Sequence, residues 1–205
     1  MARISKNPEE RKIELIDAAI ALFLEKGYEA TAVSDIVKRV RVAQGTFYYH
    51  FKSKSEILEA VVDRFLSGME AALAAISEKA EKTAVEKINE ALNYLIEISA
   101  GNKELIEYLH EESNAIMHDR IAKMTIARLA PVFTVMVEKG VLSGEFNIHF
   151  PAETVEVILS ALFWQFHQPG VMEDKPRLER IKITLEHFLD RMLGVVDHTF
   201  ILNLK

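Results

Sequence analysis

The sequence predicts an all-α fold, with a small three-helix head at the N-terminus, a larger helical body behind it and about nine helices in total. Three observations predict it. Apolar residues recur at three- and four-residue spacing along most of the chain. Helix start and stop signals punctuate those stretches: Asn7-Pro8, Ser53-Lys54-Ser55-Glu56 and Thr83-Ala84-Val85-Glu86 at starts, and Gly27, Gly101 and Gly140 at ends. No stretch reads clearly as a strand.

Composition sets the bounds. The chain has 205 residues, 49% hydrophobic and 27% charged, which is a globular composition with room for one large or two small domains. It has no cysteine, which excludes a disulfide framework, a thiolate metal site and a thiol nucleophile. No apolar run approaches the ~18 residues of a membrane span, and the start MARISKNPEER lacks an apolar signal core. The expectation is a cytoplasmic protein with no membrane association.

The net charge of −6 is unevenly shared. Residues 1–54 hold ten Lys/Arg against seven Asp/Glu, whereas residues 55–205 hold fifteen against twenty-four. Between Val33 and Lys54 five basic residues (Lys38, Arg39, Arg41, Lys52, Lys54) face Asp35 alone. A basic head on an acidic body is the asymmetry expected if only the head meets phosphate; the charge pattern alone fits a solvated helix face better, and the case rests on the charges flanking an aromatic helix.

The elements follow in order. Asn7 caps a first helix with Pro8 at its first position, and Ile13, Ile16, Ala19, Ile20 and Phe23 form its apolar stripe. Gly27 stops it. Thr31 is expected to cap a second helix carrying Val33, Ile36, Val37 and Val40. After Arg41 and Val42 a third helix runs from about Ala43 to Phe51. Phe47 and Phe51, four apart, share its inner face, while Gln44, Gly45, Thr46, Tyr48 and Tyr49 lie outward or on the flanks. Two short helices joined by a tight turn, the second with an aromatic inner face and a polar outer face, suit a recognition helix lying in a major groove.

The capping box at Ser53 opens a long helix to about Ser77, a rod of about 38 Å. Thr83 opens another, ended by Gly101 and Asn102. A short helix is expected from Lys103, then a longer one from about Ile116 to Lys139 with Gly140 past its end, kinked or broken in two at Pro131. Ser143-Gly144-Glu145 reads as a turn. Pro151 to Phe166 is apolar nearly all round, so both of its faces must be covered. With the final helix, Lys175 to Leu193, it reads as half of an intersubunit four-helix bundle, through Val155, Leu159, Leu162, Phe163, Phe166, Ile181, Leu185, Phe188 and Met192. A buried central helix in a monomer is the competing reading.

The first ~65 residues resemble the DNA-binding domain of the tetracycline-repressor (TetR) family. The resemblance rests on AAIALFLEKGYEAT, then VSDIV, then VAQGTFYYHFKSKSEIL, in that order and spacing. The helical remainder is similar to the family's ligand-binding and dimerisation part in architecture only. The resemblance implies a helix-turn-helix DNA-binding domain at 1–53 and an effector-binding and dimerisation domain at 54–205. It implies a homodimeric transcriptional regulator, a repressor in most members, released from palindromic double-stranded operator DNA by a small molecule. No cofactor is expected.

Carried over position by position, the resemblance implies DNA contact at Ser34, Gln44, Gly45, Thr46, Tyr48, Tyr49, His50 and Lys54, to which the basic flank adds Arg41 and Lys52. The chemistry agrees: Gln44 can pair bidentately with an adenine edge and Tyr49 can pack on a thymine methyl. Thr46, Tyr48, His50 and Lys54 carry donors for phosphate oxygens, and Gly45 allows close backbone approach. For His50 a capping or core role competes. Arg41 departs from the family, which usually has Gly in this turn. A left-handed backbone there would cost a non-glycine residue roughly 1 kcal/mol.

Phe65, Met69, Tyr94, Tyr108, Met117, Phe133, Met136, Phe163, Trp164 and His167 are candidates to line an effector pocket for a hydrophobic or aromatic ligand, and the same side chains at helical spacing equally suit a core. His110, Glu111, Glu112, His118 and Asp119 lie close in sequence, but no His pair at i, i+4 and no HExxH appears, so no metal site is expected. An activator or ligand-independent DNA-binding protein of the same fold is the alternative. A helical adaptor leaves the basic aromatic helix unexplained, and an enzyme lacks any nucleophile motif or phosphate loop.

Overall fold

The computed structural model describes residues 7–101, 115–166, 171, 174–196 and 199–204. Eight helices stand among them: α1 Pro8–Lys26, α2 Val33–Val40, α3 Gln44–His50, α4 Lys54–Ser77, α5 Ala84–Gly101, α6 Ala115–Ser143, α7 Pro151–Phe166 and α8 Lys175–Leu193. The described residues contain no strand. The helix expected from Lys103 lies outside them.

The chain divides into two compact units, Met1–Phe65 and Leu66–Lys205. The first unit ends later than the expected boundary at residue 53. The reason lies in the first turns of α4, where Ile57, Leu58, Val61 and Val62 are buried. A core built from three short helices alone would be marginal, and these side chains enlarge it.

Caps explain most helix ends. The Asn7 side chain accepts from the Glu9 N–H at 3.2 Å with Pro8 at the first helical position, and Gly27 follows the last turn of α1 at φ 81°. Thr31 does not cap α2, contrary to the sequence expectation. Its hydroxyl is turned back onto α1, donating to the Gly27 carbonyl at 2.7 Å and reaching the Leu22 carbonyl at 3.3 Å. It satisfies acceptors at the end of one helix instead of donors at the start of the next. The residue before α2 is Ala32, and the Asp35 carboxylate reaches back to its N–H at 2.9 Å.

Ser53 accepts from the Glu56 N–H at 3.1 Å, and Glu56 reaches back to the Lys52 N–H. At α5 the box is reciprocal: Thr83 Oγ1 accepts from Glu86 N–H at 3.2 Å and Glu86 accepts from Thr83 N–H at 2.8 Å.

In the second unit α6 is a single helix that carries Pro131 internally and runs through Gly140 to Ser143, so it is neither broken in two nor stopped at Gly140. Gly140 serves close packing instead: a Cβ there would stand 2.2 Å from the Phe146 ring. The turn at Ser143-Gly144-Glu145 is present, with Gly144 at φ 78°. Leu73, Leu92, Leu129, Met136, Leu189 and Leu193 are among the buried side chains of one continuous apolar cluster drawn from α4 to α8.

Candidate nucleic-acid interface

Within the first unit α3 shows two opposite faces. Phe47 is fully buried and Phe51 nearly so, with ring centroids 5.7 Å apart. Together with buried Leu15, Ala19, Phe23 and Ile36 they anchor the helix from below. Gln44, Gly45, Tyr48 and Tyr49 are exposed, the two tyrosines by 52% and 74%. Two large aromatic rings held outward beside a glutamine are a ready surface for base edges, because buried phenylalanines remove the freedom of the helix that bears them. Gly45 faces open space, since a Cβ there would meet nothing within 4 Å. The protein's own packing therefore does not require a glycine at that position.

The remaining expected DNA-contact residues divide. Arg41 and Lys52 are exposed; Ser34, Thr46 and His50 are half-buried. Arg41 holds φ 59° and ψ 48°, the left-handed region, and its N–H closes α2 onto the Val37 and Lys38 carbonyls. The left-handed conformation considered for this non-glycine residue is present. Burial pushes the His50 imidazole below the ordinary histidine range, opposed by nearby Glu9 and assisted by Lys12 and Arg11. The ring lies 4.8 Å from that of Tyr49, edge to face.

Lys54 is already engaged within the protein. Its ammonium donates to the Tyr28 carbonyl at 3.0 Å and to the Glu29 carbonyl at 3.3 Å, and stands 4.1 Å above the Tyr28 ring. It ties the start of α4 to the α1–α2 loop. Two further ion pairs bridge α1 and α2. Arg39 grips Glu25 with both guanidinium nitrogens at 2.8 Å, and Lys26 meets Asp35 at 2.7 Å. The hydrogen bond from Lys26, aided by that from Ala32, holds the Asp35 carboxyl below its ordinary range; Arg39 does the same for Glu25.

The expected assembly and effector residues lie in the second unit, apart from Phe65 in the first. Of the residues expected at a partner interface, Val155, Leu159, Leu162 and Leu185 pack into the apolar cluster of the second unit within a single copy of the chain. Phe163, Ile181, Phe188 and Met192 are half-buried, and the Phe166 side chain lies outside the described residues. The outward apolar side chains of α7 and α8 are Val157, Trp164 and Ile183.

Of the effector candidates, Phe133 and Met136 belong to that same core, which favours the packing reading for both. Met69 and Tyr94 pack at its edge, Phe65 is half-buried, and Trp164 is half-exposed. Tyr108, His167 and the Met117 side chain lie outside the described residues, as do His110, Glu111 and Glu112. His118 is buried, its ring 5.5 Å from those of both Phe163 and Trp164. Burial lowers its pKa, against a weaker upward pull from Asp119. No metal-binding cluster of His, Asp and Glu occurs among the described residues, and none of their helices is long and apolar enough to cross a membrane.

A buried aromatic floor, an outward polar-aromatic helix and a left-handed turn before it define a helix-turn-helix DNA-binding head joined to an all-helical body. Comparison with known proteins gives the family. Residues 15–61 match the family described as "Bacterial regulatory proteins, tetR family", and residues 97–168 match "Tetracyclin repressor-like, C-terminal domain". The fatty acid metabolism regulator protein of Bacillus subtilis is 31% identical over 149 residues, 69% of this chain and 74% of that protein. The chain belongs to the tetR family of bacterial regulatory proteins.

Other likenesses are more local or purely structural. The A-factor receptor protein of Streptomyces griseus is 41% identical over 56 residues, so this chain spans only 20% of its length. The crystal structure of RolR in complex with resorcinol superposes with a TM-score of 0.71 at 20% identity, covering 93% of this chain and 90% of that one. That of FadR from Bacillus subtilis in complex with stearoyl-CoA gives 0.58 at 23% identity, covering 90% and 98%. These two likenesses are of fold.

Proposed function

We propose that the protein is a homodimeric, sequence-specific transcriptional repressor, without enzymatic activity and resident in the cytoplasm with its DNA, that a small hydrophobic or aromatic molecule releases from its operator. The observation that carries the DNA-binding part is the opposition of Phe47, wholly buried, to Tyr48 and Tyr49, exposed on the other side of the same turn. Gln44 and Tyr49 read base edges; Thr46, Tyr48, His50, Arg41 and Lys52 fix the register on phosphates. A head this small makes few contacts alone. Two heads related by a two-fold axis read half-sites about one helical turn, ~34–36 Å, apart or a multiple of it.

The exposed Val157 and Trp164 of α7, seven residues apart on one face, and Ile183 of α8 supply the apolar seam on which a second copy packs. Release requires a ligand that favours one arrangement of the pair over the other, by a coupling of about 1–3 kcal/mol. The named ligands of RolR and FadR, a small phenol and an acyl thioester, support an apolar or aromatic effector class for this chain.

The test begins with genomic fragments retained by the purified protein, reduced to a minimal duplex. The expected result is a palindromic site whose binding falls about 10-fold or more on Tyr49→Ala, with helical content unchanged. Binding equal for Tyr49→Ala and the unaltered protein would remove α3 as the reading element. A ligand from the apolar class that binds tightly yet leaves operator affinity unchanged is not the inducer.

A further inference from the structure

We propose that the second unit contains a binding site for an extended peptide, between α5 and α8, and that residues 199–204 of the same chain are its resident ligand. Nothing in the repressor reading calls for such a site. The tail residues have no helical hydrogen bonds of their own, so their backbone groups must be satisfied by the walls.

The N–H groups of residues 199–203 and the carbonyls of Thr199 and Ile201 are satisfied in a regular pattern. On the α5 side, Asn89 donates from Nδ2 to the Thr199 carbonyl at 3.1 Å and accepts at Oδ1 from the Ile201 N–H at 2.9 Å. One turn later, Asn93 donates to the Ile201 carbonyl at 2.9 Å and accepts from the Asn203 N–H at 2.6 Å. On the α8 side, Asp190 accepts from the Phe200 N–H at 3.2 Å and Glu186 from the Leu202 N–H at 2.8 Å.

Geometry explains why two helices can read one strand. Positions four apart on a helix rise about 6 Å, and positions two apart on an extended chain rise about 6.6 Å. Asn89 and Asn93 therefore step in phase with residues 199, 201 and 203. Glu186 and Asp190, also four apart, step in phase with 202 and 200, in the opposite sense. Each asparagine amide joins a carbonyl and an N–H two residues apart, as a neighbouring strand would in a parallel ladder.

Backbone reading of this kind is indifferent to side chains, and selectivity comes from the alternate positions. Phe200 and Leu202 point into the core and are 1% and 0% exposed, whereas Ile201 faces out. The ligand class is an extended segment with an aromatic or large aliphatic residue, any residue, then a large aliphatic one. The asparagines supply donors as well as acceptors.

The test uses the full chain. A fluorescent hexapeptide, Thr-Phe-Ile-Leu-Asn-Leu, is titrated into the unaltered protein and into Phe200→Ala with Leu202→Ala, whose own tail is weakened. The double variant is expected to take up the peptide at least about 10-fold more tightly, because cis competition is reduced. Adding Asn89→Ala and Asn93→Ala is expected to abolish that gain. Should the double variant misfold, a specific protease site placed after exposed Val196 lets the tail be severed in the folded protein, and the severed segment should exchange with labelled peptide. Failure of both the variant and the cut protein to capture the peptide overturns the proposal. So does capture that survives loss of both asparagines.

Discussion

The Lys54 ammonium stands 4.1 Å above the Tyr28 ring and donates to the Tyr28 carbonyl at 3.0 Å. One side chain thus joins the start of α4 to the loop that ends α1. A charged donor on a carbonyl is worth about 1.5–3 kcal/mol when part-buried, and a cation over an aromatic face about 0.5–1 kcal/mol more. Lys54→Met is expected to lower stability by about 2 kcal/mol, the low end of that sum because the ammonium keeps some contact with solvent, read from denaturant melts. A variant as stable as the parent, with operator binding alone reduced, would return Lys54 to the DNA-contact set.

Arg41 occupies the left-handed region at φ 59°. Arg41→Gly relieves that conformation and is expected to stabilise the protein by roughly 1 kcal/mol. The same change removes an exposed cation beside α3 and should weaken operator binding. A melting temperature that stays the same or falls would show that the turn carries no such strain.

Gly45 lies in helix, with open space where a side chain would project. Gly45→Ala should therefore stabilise the head by about 0.5–1 kcal/mol, since alanine loses less backbone freedom on folding. The added methyl meets the duplex, so operator affinity should drop at the same time. Opposite signs in melting and in gel-shift titration are the signature; a fall in both would place the glycine's role inside the protein.

Glu90 accepts from both Lys79 and Lys82, and these hydrogen bonds, Lys79 first, hold its carboxyl below the ordinary glutamate range. A carboxylate with a depressed folded-state pKa stabilises the fold above its unfolded value, and that contribution is lost as pH falls through the folded one. Glu90→Gln should melt below the parent at pH 7, with the two curves converging in the acid carboxylate range. A gap that persists at pH 3 would assign the difference to packing.

Helices were the most legible part of the chain, because their signals are local. Pro8, the Thr83–Glu86 box and the stripe along α8 each announce an element within a few residues. Positions whose role depends on distant neighbours were misread. Thr31 has the chemistry of a cap, yet its hydroxyl serves carbonyls of the preceding helix. Gly140 resembles a stop signal, but its lack of a side chain admits Phe146. Nothing in the sequence near Lys54 announces its bond to the Tyr28 carbonyl, 26 positions earlier.

In the DNA-reading surface, Phe47 inward and Tyr49 outward followed from helical period alone. Partner-facing residues do not follow in the same way: periodicity shows that Val155 and Leu159 are covered, not by what. The stretch after Val195 has no helical period. Its order comes from Asn89 and Asn93, more than a hundred positions earlier.

The grip of Arg39 on Glu25 changes what the head offers to a polyelectrolyte. Of the five cations between Val33 and Lys54, Arg39 and Lys54 are consumed internally, leaving Lys38, Arg41 and Lys52 exposed. Two heads then displace about six condensed counterions, and the logarithm of affinity should decline against the logarithm of monovalent salt with a slope near −5. Charge counting from the primary structure would give a slope near −9. Cutting the Arg39 guanidinium off by Arg39→Ala should leave that slope untouched while loosening α1 from α2.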